Sequence, residues 1–251
     1  MDRQPTDQQL VEATGGLAPQ SEGSMPVNPL VTVEVEKIPT GYTERGTAFP
    51  LGHGLWLTAR HVAENGCGRI VLIVQGGIVP AQVKFLDPNA DIAVLAADAH
   101  SDSGLPIERS EISEDESAFA FDFPQGNLGG TEDRLIGRTH LRLGGRLTGV
   151  APVLAWVETK RYPDDIDSLA GISGGPMIDD DVVGIMVAAS VRRGRNYSVA
   201  PEILRAIEQQ LGAEPRQKSV RDVLGKPVAL DVAASKLSKS SRIAETYCIP
   251  P

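Results

Sequence analysis

Ser173 lies in LAGISGGPMID (169–179), among Gly171, Gly174 and Gly175 and just before Pro176. Glycines on both sides allow tight backbone conformations that other residues resist. A loop of that kind can aim successive N–H groups into one concavity, a nest that stabilises the oxyanion of a tetrahedral acyl-transfer intermediate. A serine hydroxyl beside the nest is a weak nucleophile and needs a general base. His61, in TARHVAENG (58–66), ends an apolar run and opens what reads as a helical turn. Standing alone, it could fill a core, bind a metal or move a proton. Beside Ser173 it would be the base. An imidazole in that role needs an orienting carboxylate, and Asp91 heads the apolar stretch DIAVLAA. A carboxylate beside a buried strand is costly unless paired, so accepting a hydrogen bond from His61 would satisfy both residues.

Residues so far apart in sequence meet only if the intervening chain builds a rigid frame. Of 251 residues, 41% are hydrophobic but only 4% aromatic, with 26 Gly and 18 Pro. That balance suits many short strands joined by turns. LVTVEVEKI (30–38) alternates apolar and polar residues as a half-buried strand does. GTAFPLGHGLWLTA reads as two strands about a GHG turn, and RIVLIVQGGIVPAQVKFLD as a pair turned at Gly76–Gly77. DIAVLAA, SAFAFDFP, DRLIGRTHLRLGGRLTGV and VLAWVETKRY follow, and PMIDDDVVGIMVAASV reads as a hairpin turned at Asp179 to Asp181. About a dozen strands thus recur at intervals of about ten residues, which predicts barrels or a sandwich and not βαβ units. APEILRAIEQQLG (200–212) is the exception. Ile203, Leu204, Ile207 and Leu211 fall at helical spacing, with Gly212 as the stop.

TARHV, DIAVL and GISGGP occur in the order His, Asp, Ser, and in this the chain resembles the trypsin-like (chymotrypsin-fold) serine proteases. GTAFPLGHGLWLTARHV is similar to the strand, turn, strand, histidine layout of the bacterial HtrA-type protease domain. The resemblance covers residues from about 30 to 212 and implies an all-β fold, two six-stranded antiparallel β-barrels with a C-terminal helix. It implies a serine endopeptidase in which Ser173 is the nucleophile, His61 the base and then the acid, and Asp91 the group that fixes the imidazole tautomer. The N–H groups of Gly171 and Ser173 would form the oxyanion hole. The strand holding Val187, Ala188 and Ala189 would pair with extended substrate by edge addition.

Ile172 stands where secreted trypsins keep an aspartate that pairs with a newly freed N-terminus, so activation of that type is not expected. Asp167 lies six residues before Ser173, the spacing of the base of the trypsin primary pocket, and Ser168 follows it. A buried carboxylate there would favour Arg or Lys before the scissile bond. As part of an exposed acidic loop it would not, and Arg192, Arg193 and Arg195 facing it would turn preference toward small apolar side chains. A protease-like binding or scaffold module that has lost turnover is the alternative to an active enzyme.

The remaining features set expectations by exclusion. Residues 1–28 read as a loosely attached arm, 29–212 as the protease domain and 213–251 as an extension in which VALDVAA either packs on the body or stays solvated. The arm or the extension is where a regulatory partner would bind. A net charge of −9 argues against nucleic acid. No apolar run of roughly 18 residues suggests a membrane span, and the N-terminus lacks a signal-like apolar core. No Cys/His cluster has metal-ligand spacing, so neither metal nor cofactor is expected. Cys67 and Cys248, far apart, read as free thiols, and free thiols favour a reducing cytoplasm.

Overall fold

The computed structural model describes residues 31–33, 44–64, 66–99, 104–143, 150–166, 168–212, 220 and 229–251. The first barrel takes β2 (Glu44–Gly52), β3 (Leu55–Thr58), β4 (Arg69–Val74), β5 (Gly77–Leu86) and β6 (Ala93–Ala97). Its sixth strand comes from the far end of the chain. β13 (Ala244–Ile249) pairs antiparallel with both β2 and β4, closing the order β13-β2-β3-β6-β5-β4. The second barrel uses β7 (Ser117–Asp122), β8 (Gly129–Leu143), β9 (Val150–Tyr162), β10 (Pro176–Ile178), β11 (Val182–Ser190) and β12 (Arg195–Val199). Pairing of β9 with both β12 and β8 closes that ring. The double barrel expected from the sequence is therefore present.

Each barrel is filled by one tryptophan among small and flexible side chains, which explains how so few aromatics suffice. Trp56, fully buried, is surrounded by Ala48, Ala81, Ala93, Ala97, Ala244, Leu72 and Leu95. Trp156 sits among Ala118, Ala120, Met177, Met186 and Leu135, and its indole N–H donates to Ser198 Oγ at 2.8 Å. A third cluster, including Phe49, Leu57, Val62, Phe121 and Val187, joins residues of both barrels to the helices.

Both ends of the chain join the second or the first barrel. β1 (Val31–Val33) is a strand as expected, but it adds parallel to β8 on the second barrel. Of the two readings left open for the extension, the described residues beyond 212 take the packed one. Helix α2 (Pro201–Gln210) ends as predicted, with Gly212 at φ +65°. Helix α3 (Leu230–Lys239) then buries Leu230, Ala233, Ala234 and Leu237 and leads into β13. So most of VALDVAA packs on the body as helix. β13 buries Ala244, Thr246 and Cys248 on its inward face, and Cys248 is disulfide-bonded to Cys67 with the Cα atoms 5.1 Å apart. The expectation of free thiols is overturned, because barrel closure brings these two residues together. The case it made for a reducing compartment goes with it. Residues 1–28 lie outside the described residues.

Candidate active site

His61 is the second residue of the short helix α1 (Arg60–Glu64), which leaves β3 at Thr58. Arg60 anchors that helix from both sides. Its guanidinium forks onto Glu64 (2.6 and 2.8 Å) and donates to the Asp87 carbonyl at 2.6 Å. Asp87 in turn shapes the approach to Asp91, accepting the N–H groups of Asn89 and Ala90 on one carboxylate oxygen, both at 2.8 Å. Asp91 is 2% exposed. Its Oδ1 accepts the backbone N–H of His61 at 2.9 Å, and its Oδ2 meets His61 Nδ1 at 2.6 Å. A carboxylate only accepts, so Nδ1 carries the proton and Nε2 is left as the basic nitrogen. Burial is the largest influence on the imidazole and opposes its charging. The Asp91 charge, the hydrogen bond to it and the Glu44 charge together outweigh burial, so the His61 pKa is raised above 6.5.

The Ser173 turn is riveted to the first barrel. Thr47 of β2 donates its N–H to the Ser173 carbonyl at 2.8 Å and its hydroxyl to the Gly171 carbonyl at 2.9 Å, while accepting the Phe123 N–H at 3.1 Å. A side chain on Gly46 would meet the Ser173 carbonyl at 2.6 Å and Val62, next to His61, at 2.7 Å. Within the turn, the N–H groups of Ile172, Gly174 and Gly175 are taken by Leu169, Met186 and Ile172 carbonyls. Those of Gly171 and Ser173 make no hydrogen bond among the described residues. Gly171 has φ +106° and Gly174 +93°, a region that disfavours side chains. At Gly174 a Cβ would also meet the Thr47 carbonyl at 2.0 Å.

The other predicted residues are distributed as follows. Val187, Ala188 and Ala189 lie on β11. Ala188 and Ala189 pair with Tyr197 and Asn196 of β12, and a register shift falls at Val187. β10 begins opposite Ile185, and Met186, just before this stretch, is bonded to the Ser173 turn at Gly174 and Gly175. Ser168 is half-buried and accepts the Ala170 N–H at 3.2 Å. Asp167 lies outside the described residues. Arg192 and Arg193 are exposed on the β11–β12 connection.

The sequence reading missed Thr47 and a set of buried acids behind the turn. Asp122, at the end of β7, is 2% exposed, and its Cβ lies 3.0 Å from where a Gly175 side chain would begin. Burial first, then the Asp133 charge, pushes it to about 7 despite the pull of Arg161. Asp133 is raised by burial to about 6, although Thr131 and Asn196 both donate to it. Arg161 grips Glu158 with two bonds of 2.8 Å and donates to the Ile166 carbonyl, also at 2.8 Å. A lone aspartate inside the apolar run SAFAFDFP was the available signal for Asp122.

The comparisons agree with this architecture. The trypsin-like peptidase domain model matches residues 46–185. Among solved structures, the active form of Rv3671c protease from M. tuberculosis superposes with a TM-score of 0.57 at 18% identity, covering 81% of this chain and 97% of that one. Its inactive form gives 0.54 at 20% identity, covering 68% and 88%. The HtrA-type protease AlgW with a decapeptide gives 0.53 at 22% identity, covering 66% of this chain and 51% of AlgW. No curated protein matches the sequence. The family match spans more than half of the chain and runs from the Thr47 rivet through His61, Asp91 and Ser173 to β11, so the chain belongs to the trypsin-like peptidase domain family, serine endopeptidases of the double-barrel fold.

Proposed function

We propose that this chain hydrolyses peptide bonds through His61, Asp91 and Ser173. The two-point grip of Asp91 on His61 carries the reading, because it fixes both the ring and its tautomer. Ser173 Oγ attacks the scissile carbonyl carbon while His61 Nε2 takes its proton. The oxyanion that forms faces the Gly171 and Ser173 N–H groups. The C–N bond breaks as His61 returns the proton to the leaving amine, giving an acyl-enzyme. Water, deprotonated by His61, then attacks the acyl carbon, and the bond to Ser173 Oγ breaks as His61 returns the proton to that oxygen and the acid leaves. The acyl half of the substrate lies along Val187–Ala189 as an added strand. Asp167, by its spacing from Ser173, favours Arg or Lys before the cleaved bond. Because Cys67 and Cys248 are joined, the chain works in a compartment where disulfides persist. The arm and the residues after 212 remain the places where a regulatory partner would act.

Labelling by a fluorophosphonate, lost in Ser173→Ala, tests the nucleophile. Equal labelling of both proteins would return the chain to the scaffold reading. Cleavage after Arg faster than after Leu, levelled by Asp167→Ser, tests the pocket, and equal rates in the parent protein would remove Asp167 from it.

A further inference from the structure

The Ser173 turn has two flanks, and only one is used by the acyl side of a substrate. On that flank β11 is stitched to the turn, with Gly174 N–H on the Met186 carbonyl at 2.7 Å and Met186 N–H on the Gly175 carbonyl at 2.8 Å. The opposite flank is formed by Arg45 of β2. Its stem lies against Gly171, with Cδ 3.4 Å and Cγ 3.5 Å from where a side chain would begin. Its guanidinium stands over the ring of Tyr247, 5.8 Å from the centroid, and Nη1 comes within 3.2 Å of the side-chain position at Gly126. Tyr247 belongs to β13 and faces Arg45 in the β13–β2 register. Its hydroxyl donates to Glu245 at 2.5 Å. The C-terminal strand therefore closes the first barrel and also supplies the floor on which Arg45 rests.

Arg45 is exposed, and its guanidinium makes no ion pair or hydrogen bond among the described residues. Glu44 and Glu245 are its acidic neighbours on β2 and β13, and neither bridges to it. Stem packing and the aromatic face hold the guanidinium in place, so little freedom is lost when it binds a ligand. A peptide whose acyl half follows β11 must run out across Gly171, which brings its leaving-group residues past Arg45. We propose that Arg45, propped on Tyr247, selects substrates with an acidic side chain in the first or second position after the scissile bond. A guanidinium and a carboxylate meet there as a forked, charge-assisted pair. The inference rests on Ser173 as nucleophile and β11 as the acyl-side strand.

The test is a series of internally quenched peptides with one acyl half and Glu, Ala or Lys at those two positions. The parent protein should show kcat/KM about tenfold higher for Glu than for Ala, and lowest for Lys. Arg45→Gln, which keeps the stem, should level the series, and Arg45→Glu should invert it toward Lys. Because each protein is read as a ratio within the series, a general loss of activity does not obscure the result. A flat series in a parent protein that still labels with fluorophosphonate overturns this inference alone, as does an Arg45→Glu series that keeps the parent order. Absent labelling of the parent protein overturns the nucleophile reading and this inference with it.

Discussion

His61 is held by Asp91 at two points, backbone N–H to Oδ1 and ring Nδ1 to Oδ2, so one carboxylate positions both the helix and the imidazole. Asp91→Asn can keep the backbone bond through its amide oxygen. Its NH₂ then faces Nδ1, which must accept, and the proton moves to Nε2 where a base is needed. The expected loss in kcat is on the order of 10³- to 10⁴-fold with little loss of fold. The proposed base is the neutral imidazole, so kcat/KM should rise with pH through a His61 midpoint above 6.5 in the parent protein. In the variant the carboxylate charge that raises this pKa is gone, so the midpoint should move down. Coincident midpoints in the two pH profiles would refute the role given to Asp91.

Asp122 should make stability depend on pH. Its folded pKa, about 7, lies above the ordinary 3.8, so the native state binds more protons than the unfolded state between those values. The stability this proton contributes is complete below the unfolded value and is lost as pH rises through about 7. Asp122→Asn removes that slope. Urea unfolding at pH 5 and pH 8 should therefore find the variant gaining on the parent protein at the higher pH, by a margin on the order of a few kcal/mol. His61 titrates in the same window, but it is present in both proteins and cancels in the difference, whereas Asp133, raised to about 6, is coupled to Asp122 and contributes to the same pH-dependent difference. A variant-minus-parent difference that is the same at both pH values contradicts the burial of an ionising Asp122.

What the sequence made legible was local. Apolar segments between turn signals marked β2 to β11, alternation marked β1, and residue order alone linked His61, Asp91 and Ser173. Contacts between distant segments carried no local trace. β13 alternates correctly, but two of its three inward residues are Thr246 and Cys248, so no apolar stripe announced it. The Cys67–Cys248 pairing exists only because that strand fills a vacancy between β2 and β4. Thr47 looked like one residue of a strand, since the three groups by which it holds the turn, on Gly171, Ser173 and Phe123, all come from the other barrel.

The disulfide gives a third prediction. Cys67 and Cys248 are 181 residues apart in sequence, so their link removes much of the freedom of the unfolded chain. Cys248→Ala paired with Cys67→Ala should cost roughly 2–5 kcal/mol. Thermal unfolding should show the parent protein falling toward the double variant when a reductant is added, while the variant itself is indifferent. A parent melting temperature unmoved by reductant would mean that the bond is not formed in solution or does not hold β13 in place.

Thr47 offers the most direct test of how the nucleophile turn is positioned. Its hydroxyl, fully buried, bridges the Gly171 carbonyl and the Phe123 N–H. Thr47→Val keeps the shape and leaves both backbone groups without a partner, at roughly 1–3 kcal/mol each. The Gly171 carbonyl then loses its anchor, next to the N–H proposed as an oxyanion donor. Substrate pairing along β11 does not involve Thr47, so KM should change little while kcat falls about tenfold or more. Thr47→Ser restores the hydroxyl and should recover most of kcat despite the lost methyl. If Thr47→Val turns over as fast as Thr47→Ser, the bridge serves stability alone and the oxyanion donors are positioned by the glycine backbone without it.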